Sequence, residues 1–466
     1  MSDGAPRTEH DTLGEVTVRG GALWGASTQR AVQNFQISGQ VVSLEIIHAL
    51  ADVKAAAAQA NAALGVLDRR VADAIVDAAA QVASGRHDEQ FPVDRFQTGS
   101  GTSTNMNVNE VVAHLSSAAS GVAIHPNDHV NASQSSNDVF PTAIHLAAAQ
   151  LLRDDLVPAL QGLEDALLIQ SREWADVVKP GRTHLMDAAP VTLGQEFGGY
   201  AAQMHQAVAR IEAVVPRVLE VPLGGTAVGT GLNAPPGFAD HTLAAVAERT
   251  GIALTRPENA FEAQSSRDAL VELSGCLRTI AVSMVKICND LRWMGSGPSA
   301  GLAEITLPAL QPGSSIMPGK VNPVVPEAVV QACCQVVGLD AALTLGATTS
   351  MFELNTAMPL MGCNVIDSLR LLANSAVALL QLVPKIVVDP ERLRRSAESS
   401  PAVATSLNLL VGYEAATAVV KDAAARGITI REAAQRLVDD GRVSQEALDE
   451  ALDLNRMTQE RRIHPH

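Results

Sequence analysis

The densest concentration of reactive side chains is the run Gly313-Ser314-Ser315-Ile316-Met317-Pro318-Gly319-Lys320-Val321-Asn322-Pro323. Glycines, prolines, two hydroxyls, an amide and a lysine together exceed what a plain turn needs. A serine oxygen ringed by backbone N–H groups in a Gly-rich loop can have its pKa lowered and serve as a base, and a nearby lysine can meet a substrate carboxylate. Ser314 and Lys320 fit those two roles. A phosphate-binding loop is excluded by spacing, because it places four residues before Gly-Lys and a Ser or Thr after it, whereas five intervene here and Val321 follows. The glycines between Gly224 and Gly231 miss the G-x-G-x-x-G order, and no βαβ pattern surrounds them, so nicotinamide binding is set aside.

Three further runs carry polar groups in quantity: Thr98 to Glu110, His125-Pro126-Asn127-Asp128 with Ser133 to Asp138, and Gly181-Arg182-Thr183-His184. Singly, their members have ordinary explanations. His184 could be an interior histidine, and Glu327 after Pro326 suits the first turn of a helix. Ser100, Thr102, Ser135, Ser136, Asn137 and Thr183 could be caps or turn residues, and His-Pro-Asn-Asp is a common turn composition. As a set they form hydroxyl and amide donors suited to two carboxylates.

In order and content these four runs resemble the fumarase/aspartase superfamily, whose members eliminate a group β to a carboxylate, and the likeness covers nearly the whole chain. Fumarases of this family carry Thr-His where aspartases typically carry Thr-Gln. Here the pair is Thr183-His184, and Ser-Ser-Asn at 135–137 in place of Ser-Thr-Asn agrees. The resemblance therefore implies the class II fumarase branch: reversible hydration of fumarate to L-malate in the tricarboxylic acid cycle, without metal or organic cofactor. It also implies a homotetramer whose active sites are each built from three subunits. In that scheme Ser314 is the base, His184 holds a water, and Glu327 orients and charges His184. Ser100, Gly101, Thr102, Asn105, Ser135, Ser136, Asn137, Thr183, Ser315, Lys320, Val321 and Asn322 surround the substrate. His125, Pro126, Asn127 and Asp128 resemble a second, peripheral anion site, where Val122 replaces the basic residue that many members carry. The competing readings are an aspartate ammonia-lyase and a non-catalytic protein of the same fold. Against the latter, Ser314, Lys320, Asn322, His184 and Glu327 are all present.

Positioning such groups needs a scaffold, and the composition points to helices. Among 466 residues 47% are hydrophobic but only 3% aromatic, which favours closely packed small side chains over a sandwich and gives an all-α expectation. Apolar residues alternate by three and four from Leu270 through Leu273, Leu277, Ile280, Met284 and Ile287 to Leu291, and again from Ile366 to Val383, as in bundle seams. Further helices are expected from Pro141 to Leu156, opened by Asn137-Asp138 and closed before Pro158, and from Leu193 to Val215. A long central helical bundle at 135–388 is expected between a smaller N-terminal domain at 1–134 and a C-terminal helical domain at 389–466.

The net charge of −16, with no basic run, argues against nucleic-acid or anionic-membrane partners, so a dianionic substrate needs a local basic pocket. Cys276, Cys288, Cys333, Cys334 and Cys363 are odd in number and lack C-x-x-C spacing, which fits a reducing cytoplasm rather than a disulfide or metal framework. The polar start, Met1 to Asp11, does not resemble a secretory signal. The longest uncharged apolar stretch, Leu371 to Pro384, is shorter than the roughly 20 residues of a membrane span.

Overall fold

The three-and-four seam folds into the helix Asp268–Met294, with Leu270, Leu273, Leu277, Ile280, Met284, Ile287 and Leu291 all buried. The structure is a computed structural model describing residues 5–459; Met1 to Gly4, the beginning of the polar start, lie outside the described residues. The second seam becomes Met358–Leu382 and the fourth expected helix becomes Leu193–Val218. Beyond Asp389 the chain turns to short helices, among them Ile430–Asp439, whose Ile430, Ala433, Ala434 and Leu437 face a core built almost wholly from residues 397–457. The fold is all-α.

One helix departs from expectation. It runs Ser136–Leu151, opened by a reciprocal capping box in which Ser135 and Asp138 each bond the other's backbone N–H. Pro141 sits inside it, past the first turn, so its missing N–H removes one bond of the ladder, the one to the Asn137 carbonyl. The helical path does not close before Pro158. It continues through a π-type turn, Leu152–Leu156, into Val157–Glu173, so Pro158 lies inside one helical path, just after the π-type turn that already interrupts the regular bond ladder.

Strands are few, in four two-stranded pairs among the described residues. The one that matters for chemistry is the antiparallel hairpin Val178–Thr183 with Met186–Thr192, joined by His184-Leu185 and bulged between Pro180 and Gly181. By its internal contacts the chain forms two compact units. The first comprises residues 1–158, 207–282 and 331–375, and the second 159–206, 283–330 and 376–466. Leu193–Val218, Asp268–Met294, Val324–Ala347 and Met358–Leu382 each contribute residues to both.

By length and composition alone, Val324–Ala347 and Met358–Lys385 could cross a bilayer. Their mid-helix charges, however, meet protein partners. Asp340 accepts from Arg278 Nη1 and Ser274 Oγ at 2.7 Å each, and Asp367 accepts from Arg95 Nη1 at 3.1 Å, as in the interior of a helical bundle.

Candidate active site

In the first unit two helix starts converge. Thr102 opens Thr102–Ser120 and Ser136 opens Ser136–Leu151, with their hydroxyls 2.7 Å apart, and Ser100 Oγ lies 2.7 Å from Thr102 Oγ1. The positive ends of two helix dipoles thus share one locality with three hydroxyls, an arrangement suited to a carboxylate. Gly101 makes the approach possible. Its φ of +73° is left-handed, and a Cβ there would fall 2.2 Å from the Phe140 ring. Ser135 is occupied as the cap, and Asn137 Nδ2 donates to the Ala227 carbonyl at 2.9 Å.

Beneath this surface lies a buried polar hub that sequence reasoning missed. Lys54, fully buried, donates at 2.9 Å to both Asn131 Oδ1 and Gln134 Oε1. Asn105 and Asn109 also donate to Asn131 Oδ1, at 3.1 and 3.2 Å. Asn105 is therefore tied to the scaffold through its amide nitrogen. Burial pushes the Lys54 ammonium down to about 7, partly opposed by the Asp138 charge, and burial raises the Asp138 carboxyl to about 6. The one available signal was a single lysine within the alanine-rich run Val53 to Ala63.

In the second unit the loop from Gly313 to Asn322 closes on itself. Gly313 N–H donates to the Lys320 carbonyl at 2.9 Å, and Asn322 Nδ2 donates to the Gly313 carbonyl at 2.8 Å. A Cβ on Gly313 would meet the Lys320 oxygen at 2.4 Å, so the closure requires glycine. Within it Ser314 Oγ accepts N–H bonds from Ile316 at 3.2 Å and Met317 at 3.0 Å. Two donors aimed at one hydroxyl oxygen favour its deprotonated form. Ser315, Lys320 and Val321 are exposed. Lys320, Val321, Asn322 and Glu327 line a cavity of about 970 Å³ together with Arg292 and Lys385, an excess of positive charge.

His184 lines a different cavity of the same unit, about 600 Å³, alongside Lys179, Arg182, Glu196 and Tyr200. It is exposed, as is Thr183, at the tip of the hairpin. Within one chain, then, the structure groups Ser100, Thr102 and Ser136, and separately groups Lys320, Asn322 and Glu327. It places His184 in a cavity that Glu327 does not line.

The peripheral set His125, Pro126, Asn127 and Asp128 forms a short turn of its own. His125 Nδ1 accepts from Asp128 N–H at 3.2 Å, and His125 N–H donates to His129 Nδ1 at 2.8 Å. The His125 ring thus serves as a cap, in a turn where Pro126 takes the first position.

The chain is similar to known lyases in sequence and in fold. Residues 14–338 match the lyase family and residues 403–459 match the fumarase C C-terminus. The chain is 55% identical over 454 residues to the class II fumarate hydratase of Mycobacterium tuberculosis, covering 96% of this chain and 95% of that one. It is 53% identical to that of Corynebacterium glutamicum, covering 97% of each. Among solved structures, a class II fumarase from Schistosoma mansoni superposes with a TM-score of 0.93 at 36% identity, covering 97% of this chain and 99% of that one. A fumarate lyase:delta crystallin from Brucella melitensis gives 0.88 at 43% identity, covering 96% and 99%. A hydroxyl-lined meeting of helix starts, a serine held under two N–H donors and an exposed Thr-His turn occur here in a chain of matching length and fold, which belongs to the lyase family and, within it, to the class II fumarate hydratases.

Proposed function

We propose that this protein interconverts fumarate and L-malate, with Ser314 as the base. The observation that carries this reading is the pair of N–H bonds onto Ser314 Oγ inside a closed loop that also presents Lys320. A proton on carbon next to a carboxylate is a very weak acid, so its removal requires stabilising the dianionic aci-carboxylate that forms, through preorganised donors and positive charge. Ser314 alkoxide takes the C3 proton of malate, and Lys320 and Asn322 stabilise the aci-carboxylate. The C2 hydroxyl then leaves as water, its added proton delivered through a water held by His184, as the C2–C3 double bond forms. Ser100, Gly101, Thr102, Asn105, Ser135, Ser136, Asn137, Thr183, Ser315 and Val321 shape the pocket for the two carboxylates. No metal or organic cofactor takes part in this scheme.

The same reading makes the enzyme a cytoplasmic homotetramer of the tricarboxylic acid cycle. Glu327 of one subunit pairs with His184 of another, and each site draws on three subunits. Two features support assembly: His184 and Glu327 line separate cavities within one chain, and the apolar helix Val324–Ala347 leaves Val337 and Leu345 40% and 69% exposed. The domain boundaries near 134 and 388 belong to this proposal, supported at the second by a core drawn, apart from Val178, from residues 397–457. His125, Pro126, Asn127 and Asp128 form the peripheral anion site only weakly, because Val122 brings no charge and His125 caps its own turn.

The test is to treat the purified protein with chelator, supply L-malate and, in parallel, L-aspartate, and follow fumarate by its ultraviolet absorbance. Light scattering on the same preparation should give the mass of four chains. Fumarate from malate alone is expected; fumarate from aspartate alone would move the chain to the ammonia-lyases.

A further inference from the structure

Lys179 and Arg182 stand three residues apart on the strand Val178–Thr183, a spacing that sends side chains of a regular strand to opposite faces. The bulge between Pro180 and Gly181 re-aims the second of them. Both cations then meet one carboxylate, with Lys179 Nζ 3.0 Å and Arg182 Nη1 2.7 Å from Glu304. Gly181 permits the bend, since a Cβ there would come 2.4 Å from the Ala189 carbonyl oxygen. Lys179 and Glu304 are 2% and 3% exposed, and Lys179 also donates to both oxygens of Glu196, at 2.7 and 2.8 Å. Burying charges carries a large desolvation cost that hydrophobic packing would avoid, so such a cluster calls for a role beyond stability.

The neighbours of each end suggest that role. On one side, Arg182 is followed by Thr183 and then by His184 and Leu185, whose φ values of 56° and 60° are both left-handed. A two-residue hairpin turn of this kind favours Asn-Gly, and ordinary side chains hold it only where the surroundings impose it. On the other side, Glu304 N–H donates to the Met294 carbonyl at 2.8 Å, and Ile305–Thr306 pairs with Val387–Val388 before the chain reaches Gly313. One buried carboxylate thus links the stem of the His184 hairpin to the segment leading into the Ser314 loop.

We propose that Glu304 is a positioning residue for the hydration reaction, holding the Thr183–His184 turn through Lys179 and Arg182 and fixing the stem of the Gly313–Asn322 loop. The proposal rests on the roles given above to His184 and Ser314. Steady-state kinetics of fumarate hydration by the wild type, E304Q and R182Q, with thermal unfolding of each, will test it. Loss of the link displaces His184 while leaving the carboxylate donors in place, so E304Q should lower kcat by about ten- to a hundredfold with KM within about threefold. Should E304Q fail to fold, R182Q carries the same expectation, because it cuts the tie next to Thr183, while the buried Lys179–Glu304 pair that stays maintains the fold. An active wild type beside a folded variant that keeps more than half its kcat, whatever its unfolding temperature, overturns this proposal alone. A wild type without hydratase activity overturns the underlying reading and this proposal with it.

Discussion

Ser314 and His184 are placed where removal of one atom group should be felt in the chemistry and not in the fold. Ser314 Oγ receives its two N–H bonds within a loop whose neighbouring residues are exposed, and His184 stands at a hairpin tip. Ser314→Ala and His184→Asn should each lower kcat by about 10²–10⁴-fold, the usual contribution of a positioned acid or base. Circular dichroism should show both variants folded. Near-normal turnover of the serine variant would remove Ser314 from the mechanism. Ser314 was legible as a candidate because a run of unusual composition needs no tertiary information to be noticed, and His184 was legible only through the family resemblance. Lys54 was not: a single lysine in an alanine-rich helix reads as an exposed side chain until Asn131 and Gln134 are seen to receive its ammonium.

Two glycines show how differently elements respond to the same change. Gly101 holds a left-handed turn against the Phe140 ring in the interior, so Gly101→Ala combines backbone strain with overpacking and should destabilise by about 2–4 kcal/mol. Gly313 closes a partly exposed loop, and Gly313→Ala should leave the unfolding midpoint nearly unchanged while kcat falls by at least about tenfold, because the loop can no longer close as built. Differential scanning calorimetry beside steady-state kinetics separates the two outcomes; a reversed pattern would mean that the loop is structural. The helices Asp268–Met294 and Met358–Leu382 followed from their apolar spacing alone, whereas Leu44–Ala63 was not anticipated. The hairpin at Val178–Thr192 did not, since its turn residues are His184 and Leu185 and the usual Asn-Gly signal is missing. The extension past Pro158 was also hidden, because a proline ordinarily ends a helix and the π-type turn before this one leaves no sequence pattern.

At the scale of the molecule, acid should unsettle the core through His145. It is fully buried and bonded through Nδ1 to the Val218 carbonyl at 2.7 Å, and burial, aided by the Arg267 charge, pushes its pKa down from 6.5 to about 4. The unfolded chain therefore takes up this proton first, so stability present above pH 6.5 is lost as pH falls toward 4, by roughly 3 kcal/mol over the whole interval. Asp138, raised from 3.8 to about 6 by burial, works in the opposite sense over much of that range, because there the folded state holds the proton. Comparing wild type with His145→Asn cancels the Asp138 contribution. Urea midpoints at pH 7 and pH 5 should fall further for the wild type than for the variant, and equal declines would sink the assignment.

Read alone, the sequence determined the helical class, the principal seams and the candidate reactive runs through local spacing and composition, and the family through the resemblance of four ordered motifs. Only the tertiary structure decided that Thr102 and Ser136 present their hydroxyls to each other and that a bulge turns Arg182 toward Glu304. It alone also showed that buried Lys54 shares Asn131 with Asn105 and that His184 shares no cavity with Glu327 in one chain. Each of these joins residues far apart along the chain, or reverses a strand face by a single inserted residue. Neither leaves a local pattern, because both are set by which surfaces pack together and not by any residue's own propensity.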